Sequence, residues 1–220
     1  MPGDPALPRR EAAILLLAAL LLTLVHYHGQ SAWLEALLGP RFALYGWFGA
    51  NVALLLGVPL LLIRFVLREP LSAFGLGLGR PRRWVRDAAL LALLLLPIAL
   101  LVAHFTRMGE GYPVYRPVLA EPWLLLPSTL GWGAYFFAWE FFFRGFLLFG
   151  LEKRLGRLAL FVQLLPFVMA HYPKSEIESL AAIGGGLVFG LLALRGESFL
   201  GAWLLHWALA TAINVAGMKR

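Results

Sequence analysis

Runs of about 20 apolar residues, set apart by short polar or basic clusters, recur along this chain and fix its class before any motif is read. A helix of that length crosses the hydrocarbon core of a bilayer, where a backbone must satisfy its own hydrogen bonds. The expected fold is all-α: a polytopic transmembrane helical bundle of about seven spans. We read them at 11–27, 44–67, 84–105, 123–149, 158–171, 177–194 and 199–217. The fourth is long enough to tilt or to end in the interface, and the fifth is short for a full span. Only 14% of the residues are charged, against roughly a quarter in a soluble domain. Arg9-Arg10 and a long apolar run follow Met1-Pro2-Gly3-Asp4-Pro5 with no small-residue cleavage site, so the first span is read as retained rather than as a signal peptide. Residues 1–68 form generic N-terminal spans and residues 69–220 the functional core.

The net charge of +7 sits in the loops, which fits topology and anionic lipid rather than a nucleic-acid partner. Arg9, Arg10, Arg68, Arg80, Arg82, Arg83, Arg86, Lys153, Arg154, Arg157 and Arg195 fall on one side. Arg41, Arg107, Arg116, Lys174, Lys219 and Arg220 fall on the other. The positive-inside rule puts the richer set, and the N-terminus, in the cytoplasm and the C-terminus outside; the expected location is a bacterial inner membrane. The absence of cysteine removes disulfides, thiolate catalysis and Cys-based metal sites. Between the second and third spans, Glu69 to Arg80 alternates apolar residues with glycine. This segment suits the cytoplasmic interface or a flexible connector equally. Gly184-Gly185-Gly186 and Gly190 mark close helix packing.

Against this apolar background, Trp139-Glu140-Phe141-Phe142-Phe143-Arg144 places a carboxylate and a guanidinium inside a span. Ionisable groups there cost several kcal/mol, so they mark function by default. Glu140 and Arg144, four apart, share a helix face and can pair. A purely structural ion pair is the competing explanation. His206 lies mid-span between Trp203 and Trp207 and needs a partner from another helix, with Glu140, His171 or a water as candidates. His171 precedes Tyr172-Pro173-Lys174 and suits an interfacial histidine equally well. His26, His28 and His104 lie at span ends and suit the interface.

One carboxylate and two histidines can hydrolyse in two ways. They could ligate a divalent metal such as zinc through His171 and His206, leaving positions for water. Without a metal, Glu140 could act as general base while a histidine stabilises the oxyanion and Arg144 orients the carboxylate. No His-Glu-x-x-His helix is present, and Ser128, Ser175, Ser179 and Ser198 lack a Gly-x-Ser-x-Gly setting.

These residues resemble the CAAX-protease and bacteriocin-processing (CPBP, or Abi) family of intramembrane endopeptidases. Its marks are Glu-Glu-x-x-x-Arg, Phe-x-x-x-His and His-x-x-x-Asn on successive helices. They correspond here to Trp139-Glu140-Phe141-Phe142-Phe143-Arg144, to Phe167-Val168-Met169-Ala170-His171 and to His206-Trp207-Ala208-Leu209-Ala210. The resemblance covers residues 69 to 214. Two positions depart from it: Trp139 stands for the first glutamate, the residue assigned there to water activation, and Ala210 stands for the asparagine. Asn214, one turn further on, could substitute from about 80° round the helix. Glu176 and Glu178 could add a second carboxylate from a solvated loop. The depths of the motifs conflict unless the fifth helix kinks at Pro166 or starts deeper.

The resemblance implies a protease (hydrolase) cutting a membrane-anchored protein or peptide substrate near the bilayer, with Glu140, Arg144, His171, His206 and Asn214 as its site. A catalytically inactive membrane scaffold or immunity protein is the alternative that Trp139 and Ala210 favour. A proton-coupled transporter is a third, although paired repeats with broken helices are absent from the sequence.

Overall fold

The computed structural model describes residues 9–28 and 32–218, so Lys219, Arg220 and the residues before Arg9 lie outside it. Among the described residues the chain is helical, without strands. In order these are α1 (Arg9–His28), a short α2 (Ala32–Leu38), α3 (Ala43–Leu67) and α4 (Pro81–Phe105). Then come α5 (Pro122–Leu155), α6 (Leu158–Met169), α7 (Glu176–Gly196) and α8 (Leu200–Gly217). All but α2 and α6 are long and apolar enough to cross a membrane, which gives 6 spans where about seven were read. The difference is α6, whose 12 residues rise only about 18 Å.

The bundle is apolar on its outside as well as its inside. Leu16, Leu93 and Phe105 stand more than two-thirds exposed, as expected where the solvent is lipid. The interior is built around α5, whose Phe141, Phe142, Phe143 and Phe146 are fully buried. Ile14 and Leu21 of α1, Leu55 of α3 and Phe167 of α6 close the same core. Trp203 and Trp207 tie α8 to α5, donating their indole N–H groups to the carbonyls of Gly133 (2.8 Å) and Thr129 (2.9 Å).

Ion pairs cluster at the two ends. At one end, Glu69 meets Arg10 (2.5 Å) and Lys153 (3.8 Å), Arg80 meets Glu197 (2.5 Å), and Asp87 meets Arg86 (2.8 Å) and Arg195 (3.0 Å). Every cation in that set belongs to the richer basic side read from sequence. At the other end, Arg41 pairs with Glu121 at 2.6 Å, and Glu178 accepts from Tyr112 (3.0 Å) and Lys174 (2.5 Å).

Residues 69–80 are not a loose connector. They form a strap fastened beneath the bundle at its basic end. A 3-10 turn, Leu71–Phe74, buries the Phe74 ring completely against the core. Ser198 then donates to the carbonyl of Gly77 (2.6 Å), Trp84 to that of Leu78 (2.8 Å), and the Arg80 amide to that of Gly196 (2.7 Å). The strap approaches α5 closely at Gly145, where a Cβ would lie 2.9 Å from the Phe74 carbonyl oxygen. Of the glycines on α7, Gly186 packs against Leu164 and Phe167 and Gly190 against Leu160. Gly184 and Gly185 face open space, so the close-packing reading holds for half of the set.

Candidate active site

The site forms where α5, α6 and α8 converge, and the local geometry of each helix brings it there. Glu140 is the last residue of the α-helical part of α5, and Phe141–Phe149 continues it as a π-helix. A π turn is wider than an α turn and recurs at functional sites. Here it begins immediately after the carboxylate and carries Arg144. The two side chains are both fully buried and pair at 3.1 Å, Arg144 Nε to Glu140 Oε2. Arg144 Nη1 stands 3.4 Å from Oε1.

His206, on α8, supplies the partner anticipated from its isolation in the sequence. Its Nδ1 lies 2.6 Å from Glu140 Oε1. With Arg144 beside it the carboxylate is an acceptor, so Nδ1–H donates and the lone pair lies on Nε2. The imidazole is packed by Phe136 (4.2 Å between centroids), Phe189 (5.3 Å) and Phe167 (6.5 Å). It keeps 15% of its side-chain surface exposed, whereas Glu140 keeps none.

Phe167 is the hub of the site. The Arg144 guanidinium sits 4.1 Å from its ring centroid, a distance at which a cation and a π face attract. On its other sides are His171 at 4.7 Å and Trp139 at 6.2 Å. His171 is 7% exposed, and its Nδ1–H donates to the carbonyl of Phe167 at 2.8 Å. A carbonyl can only accept, so the neutral His171 also carries its lone pair on Nε2. Ser179 of α7 fixes the turn after α6 by donating to the His171 carbonyl at 2.8 Å.

The depth conflict resolves through the length of α6. Gly150, whose carbonyl accepts from Arg10, marks the basic end of α5, and Glu140 lies ten residues or about 15 Å deeper. Because α6 starts at the same end and stops after 12 residues, His171 is left within the bundle instead of at the far surface.

The structure thus brings Glu140, Arg144, His171 and His206 together, but not Asn214. That side chain lies eight residues beyond His206, a rise of about 12 Å. There its Oδ1 accepts from the Val114 amide at 2.9 Å. Glu178 is occupied by Tyr112 and Lys174, and Glu176 is exposed, so neither adds a carboxylate to the site. Ser128 and Ser198 bond to backbone carbonyls and Ser175 caps α7. Phe136, Phe189 and Ser179 belong to the site and carry no sequence signal of their own; Phe167 was legible only as part of its motif.

Among the described residues no three His, Asp or Glu side chains are grouped to hold a metal ion. Glu140 is taken up by Arg144 and His206, which leaves the two imidazole Nε2 atoms as the available donors. This donor set does not fit a three-ligand centre, and no step below is routed through a metal. A cavity of about 300 Å³ between α4 and α8, lined by Leu100, His104 and Ile213 among others, does not touch the site.

Comparison with curated proteins and with solved structures gives no match. Residues 121–212, the stretch holding Glu140, Arg144, His171 and His206 and ending two residues short of Asn214, match the family model described as type II CAAX prenyl endopeptidase Rce1-like, which bears out the CAAX-protease resemblance and points to a CAAX-type intramembrane protease.

Proposed function

We propose that the protein is an intramembrane endopeptidase that hydrolyses a peptide bond near the C-terminal, membrane-anchored tail of its substrate, with Glu140 and His206 acting as one base. The observation that carries this is the 2.6 Å contact between a fully buried carboxylate and an imidazole that retains exposure. Glu140 has no exposed surface with which to meet water directly. Its charge instead fixes the His206 tautomer and stabilises the imidazolium that forms in the reaction, as carboxylate–imidazole pairs do in hydrolases.

Water held by Nε2 attacks the scissile carbonyl carbon. The new C–O bond forms as the water proton passes to Nε2 and the carbonyl electrons move to oxygen. Collapse of the tetrahedral intermediate breaks the C–N bond, and the amine departs with the proton from Nε2. Arg144 pairs with Glu140 at 3.1 Å and holds the carboxylate in place. His171, which packs against Phe167 and presents its lone pair at Nε2, orients the water or the substrate amide N–H in this reading.

The family match suggests a probe: a farnesylated peptide ending in a Cys-aliphatic-aliphatic-X tail, incubated with the full chain in nanodiscs. Release of the tail by wild type, and its loss in Glu140→Gln and His206→Gln, is the expected result. Equal cleavage by either variant would overturn the dyad.

A further inference from the structure

We propose that the indole N–H of Trp139 is the donor that holds the scissile carbonyl oxygen and stabilises its oxyanion. This rests on the hydrolytic reading above. Peptide hydrolysis builds negative charge on that oxygen, and catalysis needs a preorganised donor aimed at it. Neither histidine offers one in its neutral form. Each spends its Nδ1–H, on Glu140 Oε1 for His206 and on the Phe167 carbonyl for His171, and each presents a lone pair at Nε2. Ala210 has no donor to give, and Asn214 is bonded elsewhere.

Three buried side-chain donors at the site make no hydrogen bond among the described residues, Trp139 Nε1, Arg144 Nη2 and Arg144 Nε, and the last of these is engaged in the ion pair with Glu140 Oε2 at 3.1 Å. Arg144 is shut away behind rings, 4.1 Å from the Phe167 centroid and 5.4 Å from that of Phe189. Trp139 also packs against Phe167, at 6.2 Å, and its ring lies 6.0 Å from that of His171 in an edge-on arrangement. It is 7% exposed and held by Tyr135 at 5.6 Å and Phe143 at 4.9 Å. A buried indole N–H ordinarily has an acceptor. The indoles of Trp84, Trp203 and Trp207 all have one in a backbone carbonyl. Trp139 Nε1 alone of these four is left without, on a ring that packs against His171. At this position a carboxylate would repel the oxyanion, whereas an indole donates to it without adding charge to the membrane.

The test uses the full chain in nanodiscs with the farnesylated peptide and with its aldehyde analogue, whose hydrate resembles the tetrahedral intermediate. Trp139→Phe keeps the ring and removes the donor, so kcat is expected to fall about 10²-fold with KM nearly unchanged. In ¹⁵N-labelled wild type, the Trp139 indole resonance should move downfield when the aldehyde is added. Its assignment comes from Trp139→Phe, or from Trp139→Tyr should the first variant not fold. Cleavage by wild type with an unchanged rate in Trp139→Phe, or with a stationary indole resonance, overturns the role of Trp139 and leaves the Glu140–His206 dyad standing. Absence of both cleavage and resonance shift removes the two together. A shift without cleavage keeps Trp139 as a carbonyl donor and removes the hydrolytic reading.

Discussion

At the scale of single residues, the energetics of the site depend on a buried pair whose partners cannot be separated cheaply. Removing one partner of a buried ion pair costs about 3–5 kcal/mol, because the survivor is left uncompensated. Glu140→Leu is therefore expected to misfold, while Glu140→Gln keeps one acceptor oxygen at the site, loses the charge opposite Arg144, and is expected to fold with a lowered melting temperature. Its activity should nevertheless fall by about 10³-fold, since a neutral amide no longer compensates the imidazolium that forms on His206. Thermal unfolding run beside the peptide assay separates the two effects. Phe167→Leu should lower stability by about 2 kcal/mol through lost contact with the guanidinium. A melting temperature equal to wild type would show that the Arg144–Phe167 contact carries no weight. Glu140, Arg144 and His206 were legible in the sequence because charged or polar side chains stand out in hydrocarbon. Asn214 was misplaced because its angular offset from His206 was weighed while its rise along the helix was not. Phe189 meets His206 and Arg144 from another helix, and Ser179 meets His171 across the turn after α6, so packing reveals both.

At the scale of elements, two backbone features hold the site: the π segment of α5 and the short α6. The π segment is wedged between its own aromatic side chains and the strap, and Gly145 leaves room for the Phe74 carbonyl. Gly145→Ala should cost about 1–3 kcal/mol by overpacking and reduce activity, because the strain lies one residue from Arg144. Unaltered stability would mean that the strap gives way without resistance. The turn after α6 depends on the Ser179 hydroxyl, and Ser179→Ala should cost about 1 kcal/mol. It should also lower kcat more than it raises KM, since His171 would lose its fixed orientation. The spans were readable from apolar run length, and the shortness of the fifth was visible too. The strap was not: glycines alternating with apolar residues describe flexible and fastened chain alike. What decides between them is the set of Ser198, Trp84 and Gly196 contacts made more than a hundred residues away, or six in the case of Trp84.

At the scale of the whole molecule, α1, the strap and the end of α5 are joined at the basic end by Glu69, which lies between Arg10 and Lys153. Hydrogen bonding to Arg10 holds the Glu69 carboxyl below its ordinary value of 4.5. A depressed folded-state pKa contributes stability that is fully present above the unfolded value and is lost as pH falls through the folded one. Wild type and Glu69→Gln should therefore differ in melting temperature at neutral pH and converge as the solution is acidified below that ordinary value. A gap that persists at low pH would assign the contribution of Glu69 to packing. The ion-paired cations divide between the two ends as the sequence reading has them, while the cytoplasmic placement of the richer end rests on the positive-inside rule.

The central claim, that Glu140 and His206 hydrolyse a peptide bond in the membrane, is tested most directly by the new protein termini that appear in cells. Membranes from cells expressing wild type or folded Glu140→Gln at equal levels would be compared. Hydrolysis predicts a set of termini near membrane-anchored tails that occurs with wild type alone. Identical termini in the two, together with failure to cleave the farnesylated peptide, would contradict the claim and leave a protein that holds this buried constellation for binding.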